Sequence, residues 1–125
     1  RGGDGCRAGR GGGASGSQAP AGAGMGAGYY GIAKLAMHAI THSLARELGP
    51  KKIRVNAIAP GYIATNNTSA LRADPARNDA ILERIPAGRW GAPEDIGGTA
   101  AFLCSPAARY IHGAVLNVDG GWLAR

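Results

Sequence analysis

Residues 29–61 read YYGIAKLAMHAITHSLARELGPKKIRVNAIAPG, and the change of period inside this stretch decides the fold class. Ile32, Leu35, Ala36, Ala39, Ile40, Ser43 and Leu44 recur at the three-and-four spacing of an α-helix. Alanine and leucine favour that conformation. Gly49-Pro50 stops it, so the spacing predicts a helix over 29–48. In Ile53-Arg54-Val55-Asn56-Ala57-Ile58 the apolar positions alternate instead, and Ala59-Pro60-Gly61 closes the run in a turn. A parallel strand is expected there.

Toward the C-terminus, residues 62–77 are polar and predict a loop with a short helix around Ser69–Ala73. Asn78–Arg84 is expected to form another helix, ended by Pro86. Pro93-Glu94-Asp95 opens a third. Proline in the first turn needs no donor, and the acids behind it suit the positive helix end. That helix should run to about Cys104, with Ile96, Ala100 and Leu103 on one face, and end at Ser105-Pro106. Ala114–Val118 reads as a second strand, followed by a turn at Asp119-Gly120-Gly121 and then Trp122. Helix, strand, helices, strand is the order of an α/β protein.

Toward the N-terminus the composition changes. Residues 1–28 hold 12 of the 22 glycines and no Leu, Ile, Val, Phe, Tyr or Trp. Such a segment buries too little apolar surface to offset its backbone entropy. Residues 1–24 are therefore expected to be a disordered low-complexity segment, and 25–125 the folded part. Glycine, alanine and arginine have GC-rich codons, so a wrong-frame translation joined to the correct frame near Gly24 is the expected origin of this segment. With Arg1 first, the natural start is expected to lie upstream. Gly11, Gly13 and Gly16 match G-x-G-x-x-G, as do Gly26, Gly28 and Gly31. No strand-forming run precedes either match, so neither reads as a dinucleotide loop.

The whole chain has 125 residues, which fits one domain, and a net charge of +6. Its cations are scattered rather than clustered, and the Arg-Gly pairs at Arg1-Gly2 and Arg10-Gly11 lack interleaved aromatics, so no nucleic-acid partner is expected. No apolar run reaches the roughly 18–20 residues of a membrane helix, so no membrane partner is expected either. Two cysteines, Cys6 and Cys104, make no disulfide framework, and a reduced cytoplasmic setting is expected. Cys104 reads as a buried small apolar residue at a helix end. His38 and His42 lie four apart without a third ligand, so no metal is expected. Trp90 and Trp122 read as packing residues.

Tyr30 and Lys34 carry a chemical pattern. Four residues apart on a helix, they share a face one turn apart. A free tyrosine titrates near ~10 and is a poor base at neutral pH. A nearby ammonium favours the phenolate, and lowering the pKa by ~3 units corresponds to ~4 kcal/mol. The product is a group able to exchange a proton with an alcohol or ketone.

Four motifs then occur in order. Tyr30-Gly-Ile-Ala-Lys34 is followed by Asn56-Ala-Ile-Ala-Pro60-Gly61-Tyr-Ile63-Ala-Thr65. Next come Gly88-Arg89-Trp90-Gly91-Ala-Pro93-Glu94-Asp95-Ile96 and the closing Asp119-Gly120-Gly121. Residues 25–125 thereby resemble the C-terminal portion of the short-chain dehydrogenase/reductase family. Ala64–Thr68, Leu71–Asp74, Ile85–Gly91 and the ending Gly120–Arg125 resemble its sugar-acid subgroup. The resemblance implies the last two strands, with flanking helices, of a Rossmann-like doubly wound parallel sheet. It implies reversible hydride transfer between NAD or NADP and a secondary alcohol or ketone of a sugar acid. Tyr30 would be the general acid/base, and Lys34 would lower its pKa and bond the nicotinamide ribose. Pro60, Gly61, Ile63 and Thr65 would line the cofactor. Ser17, thirteen residues before Tyr30, stands at the distance of the family's catalytic serine, although the residues around it lack that serine's apolar strand. Arg72 and Arg89 are candidates to bind a substrate carboxylate, which arginine pairs bidentately.

The family's glycine-rich cofactor loop after the first strand is absent, as is the residue that selects NAD or NADP. The resemblance therefore implies a truncated form, inactive alone, of a parent that assembles as a homo-tetramer or dimer. The alternative is a non-catalytic fragment that retains only a subunit-association surface.

Overall fold

A computed structural model describes residues 26–124, with side chains from Gly31 onward. Ser17 and the glycine-rich segment expected to be disordered lie outside the described residues.

Helix α1 spans Gly26–Leu48 and ends in a 3₁₀ turn, Gly49–Lys51, as Gly49-Pro50 requires. Strand β1 follows at Ala57–Pro60, then a 3₁₀ turn at Asn66–Thr68. Helix α2 is Ser69–Ala73, helix α3 Pro75–Leu82, and helix α4 Pro93–Cys104. Strand β2 is Val115–Val118 and pairs with β1 in parallel, Ala57 opposite Val115 and Pro60 opposite Val118. Parallel neighbours need a crossover, here supplied by α2, α3 and α4. The α/β class and the parallel pairing are as expected.

Three expectations need correction. The first strand lies at 57–60 rather than 53–58. Residues 54–56 are spent on cross-links to the approach of β2: Arg54 Nη1 donates to Ala108 O (2.9 Å), and Asn56 Nδ2 donates to Ile111 O (3.0 Å). Asn56 Oδ1 accepts Ala114 N–H (2.9 Å), and Val55 N–H is taken by His112 Nδ1 (3.0 Å). Helix α3 begins at Pro75 rather than Asn78, because the Asp74 side chain accepts Arg77 N–H and caps it. Cys104 is exposed, not buried, at the last position of α4, where the helix gives way to Ser105.

The buried apolar residues are Ala45, Ala59, Ile85, Leu103 and Ala108. On α1 the buried positions are Thr41 and Ala45, whereas Ile32, Leu35, Ile40 and Leu44 are exposed. Thr41 satisfies its hydroxyl on Met37 O, 2.8 Å away. Gly120 explains why Ile85-Pro86 and the closing turn occur together. Its φ is +64°, and a Cβ there would meet Ile85 Cγ2 at 2.9 Å. Ala87 N–H donates to Gly120 O (3.0 Å), joining the two segments.

Candidate active site

The carboxyl ends of parallel strands are where α/β sheets open their ligand crevices. β1 ends there in Pro60-Gly61, and the chain leaves through Tyr62, Ile63, Ala64 and Thr65. Gly61 N–H donates to Val118 O (3.0 Å), which extends the ladder by one residue. A Cβ on Gly61 would stand 2.6 Å from Asp119 Cα and 2.9 Å from Asp119 O. The glycine is therefore demanded by the end of β2 itself.

Beyond it, Ile63 pairs with Gly91 in a single parallel bridge. Ala64 N–H donates to Gly91 O (2.8 Å), and Gly91 N–H donates to Tyr62 O (2.9 Å). The Thr68 hydroxyl donates to Ile63 O (2.8 Å) and accepts Thr65 N–H (3.0 Å). Arg72 Nη2 donates to Thr65 O (3.1 Å). Among the described residues, Ile63 N–H takes no hydrogen bond. Pro60, Gly61, Ile63 and Thr65 thus lie on one pinned segment that keeps a free backbone donor. Tyr30 and Lys34 stand on α1, one turn apart. That helix is tied to the strand approaches at its far end, where His112 Nε2 donates to Ala45 O (2.7 Å). Because His112 Nδ1 accepts Val55 N–H, the ring proton sits on Nε2.

The two candidate arginines differ. Arg89 is committed: Nη1 and Nη2 donate to both oxygens of Asp95 at 2.8 and 3.0 Å, and Nη1 also donates to Trp90 O (3.0 Å). Asp95 in addition accepts Ala92 N–H (2.7 Å). The Arg89 hydrogen bonds, then the Ala92 amide, hold the Asp95 carboxyl down to about 2, and Asp95 raises the Arg89 guanidinium. Arg72 is exposed and spends one donor on Thr65. Of the two, Arg72 is the one without a carboxylate partner among the described residues.

A cleft of about 350 Å³ lies behind this segment, lined by Tyr62, Ile63, Arg89, Asn117 and Asp119 among others. Asp119 is occupied within the protein, accepting Gly121 N–H (2.9 Å) and Leu123 N–H (3.1 Å). Tyr62 sits between the two tryptophans, ring centroids 5.5 Å from Trp90 and 4.8 Å from Trp122, both edge-on. The Arg84 guanidinium lies 4.1 Å over Trp122, and Trp90 Nε1–H donates to Asn78 Oδ1 (2.8 Å). Both tryptophans therefore pack, clipping α3 and the C-terminal turn onto Tyr62. Among the described residues no three His, Cys, Asp or Glu side chains converge as metal ligands, and no helix is long and apolar enough to cross a membrane.

The sequence reading passed over the Arg89–Asp95 clasp. Local signal covers only its Ala92 bond, since an acid three residues after a helix cap reaches back to the cap amide; the pairing with Arg89 has none. The pairing of Ile63 with Gly91 had no local signal.

A family profile described as enoyl-(acyl carrier protein) reductase matches residues 15–123, most of the chain. A 2-dehydro-3-deoxy-D-gluconate 5-dehydrogenase of Dickeya dadantii is 57% identical over 96 residues, 77% of this chain and 38% of the relative. The chain spans under two-fifths of the length of such relatives. A structure from Agrobacterium tumefaciens with bound NADP, provisionally assigned as a 2-deoxy-D-gluconate 3-dehydrogenase, superposes with a TM-score of 0.74 at 69% identity. It matches 77% of this chain and 39% of that one. A gluconate 5-dehydrogenase from Burkholderia cenocepacia, in complex with NADP and tartrate, superposes at 0.73 with 36% identity, over 77% and 38% of the two chains.

Proposed function

The chain belongs to the short-chain dehydrogenase/reductase family, and from that premise we propose that it is the C-terminal portion, residues 25–125, of an NAD- or NADP-dependent sugar-acid dehydrogenase. The carrying observation is the segment after β1: four expected cofactor residues lie on one pinned stretch at the strand's carboxyl end. Within it the Ile63 amide is left as a donor of the kind a nicotinamide carboxamide requires. The bound dinucleotide supplies or accepts the hydride. The chain's own residues do the rest. The Tyr30 hydroxyl gives a proton to the substrate oxygen in reduction and takes it back in oxidation. Lys34, one turn on, favours the charged phenol oxygen and bonds the cofactor ribose. Pro60, Gly61, Ile63 and Thr65 orient the nicotinamide, and Arg72 faces the substrate's carboxylate.

By this reading the chain is inactive alone, since the phosphate-binding half of the site lies outside it, and the parent is a homo-tetramer or dimer. The outward apolar residues of α1 support association. The test is a chimera of residues 26–125 with the N-terminal part of the Dickeya dadantii relative, assayed for sugar-acid-dependent loss of nicotinamide absorbance. Turnover that disappears in Tyr30→Phe is expected, with none from the chain alone. A folded chimera without turnover, beside an active intact relative, overturns the reading in favour of a non-catalytic association fragment.

A further inference from the structure

We propose that Asp95, outside the segment it controls, is the positioning residue that fixes Tyr62–Thr65 and leaves the Ile63 amide as the presented donor. The proposal rests on reading that segment as the nicotinamide site.

The connection from α3 to α4, residues 83–92, contains no helix or strand, yet Gly91 within it must meet Ile63 in register. Asp95 controls both sides of Gly91. Through Arg89 it holds the preceding residues, because Arg89 binds both its carboxylate oxygens and also Trp90 O. Directly it holds the following residue, accepting Ala92 N–H at 2.7 Å. One carboxylate in the first turn of α4, where the helix's positive end favours negative charge, thus gathers residues 89, 90 and 92. Gly91 is left between them with its amide and carbonyl aimed at Tyr62 O and Ala64 N.

The bridge decides which groups remain. A parallel pair uses the amide and carbonyl on either side of the bridged residue, so that residue's own groups point to the opposite edge. Ile63 O is then taken by the Thr68 hydroxyl, and Ile63 N–H is left without an acceptor among the described residues. Were Gly91 to swing away, Tyr62 O and Ala64 N would lose their partners and the segment could turn. Asp95 and Arg89 are both part-exposed, and pairs of that kind add little stability. What the clasp supplies is shape.

The experiment is residue-resolved amide hydrogen exchange on the 125-residue chain, with Asp95→Asn, Asp95→Glu and Arg89→Gln. In Asp95→Asn the Gly91 and Ala64 amides are expected to exchange at least about fivefold faster, the factor a lost cap is worth, and the Ile63 amide resonance to shift. The Ala57 and Gly61 amides, bonded to Ala114 O and Val118 O in the β1–β2 ladder, are expected to hold their rates. Asp95→Glu restores part of the protection. Arg89→Gln keeps the bond to Ala92 and gives the same selective pattern, so the question stays answerable if Asp95→Asn fails to fold. Unchanged rates at Gly91 and Ala64, or acceleration shared equally by Ala57 and Gly61, overturn the proposal. The measurement needs no turnover, so it can fail while the dehydrogenase reading stands, and an inactive chimera leaves the exchange result untouched.

Discussion

Helix α1 leaves its large apolar side chains exposed, whereas the stretch from Gly61 to Trp122 buries several of its own and exposes Phe102 and Tyr110. On α1, Ile32 is 65% exposed and Leu35 67%. In the later stretch Ile85 is 4% exposed and Leu103 8%, and Tyr62 packs between two tryptophans. The later stretch brings its own partners: Ile85 meets the closing turn at Gly120, and α4 lies against β1 and β2. α1 carries a stripe of the right period with nothing among the described residues to cover it. Periodicity shows that a helix face is apolar. It does not show that the same piece of chain supplies what covers that face. Small domains bury a modest share of their surface in any case.

The comparison breaks first in the packed stretch. Leu103→Ala removes a buried side chain from α4 where it faces the sheet. A loss of about 2–5 kcal/mol is expected, enough to abolish a cooperative urea transition in a chain with so small a core. An unaltered transition would mean that the packed stretch is as loosely held as α1. Gly61→Ala follows. Its Cβ would overlap Asp119 backbone atoms, which cannot rotate away as a side-chain tip could. A cost of about 1–3 kcal/mol is expected, read from the same transition.

Much of this arrangement was legible in the residues. Ser69–Ala73 and Pro93–Cys104 are the helices that local pattern predicts, because proline, caps and period all act within a few residues. The first strand was misplaced by four positions because its limits are set elsewhere. Ile53–Asn56 alternate like a strand, but His112, Ile111 and Ala114, more than fifty residues away, claim their hydrogen bonds. The site divides in the same way. Pro60, Gly61, Ile63 and Thr65 could be singled out because they fall within one short motif that resembles the family's. That Arg89 belongs to Asp95 rather than to a substrate required the loop's shape, as did the meeting of Ile63 with Gly91.

Mutating the α1 stripe should have the reverse profile. Ile32→Ser with Leu35→Ser takes apolar groups from water-facing positions, so the unfolding free energy should change by no more than about 0.5 kcal/mol per site. Self-association, followed by light scattering against concentration, should fall clearly. A large loss of stability instead would show that the stripe is covered within the chain and would remove the contrast with Leu103.

The smallest effect is expected from acid. Asp95 titrates near 2 in the folded chain because Arg89 and the Ala92 amide bind its charged form, whereas an unfolded aspartate titrates near ~3.9. A carboxyl whose folded pKa is depressed contributes stability that is fully present above the unfolded value. That contribution is lost as pH falls through the folded one. Between neutrality and about pH 5, above the unfolded aspartate value, the clasp should therefore change nothing. Its contribution should fade between about pH 4 and pH 2. The Asp95 carboxyl carbon resonance, followed in an acid titration, should give a midpoint near 2, moving back toward the ordinary aspartate range in Arg89→Gln. A midpoint already in that range in the unmodified chain would mean that the guanidinium does not hold the carboxylate in solution. The loop around Gly91 would then be as free as the outer face of α1.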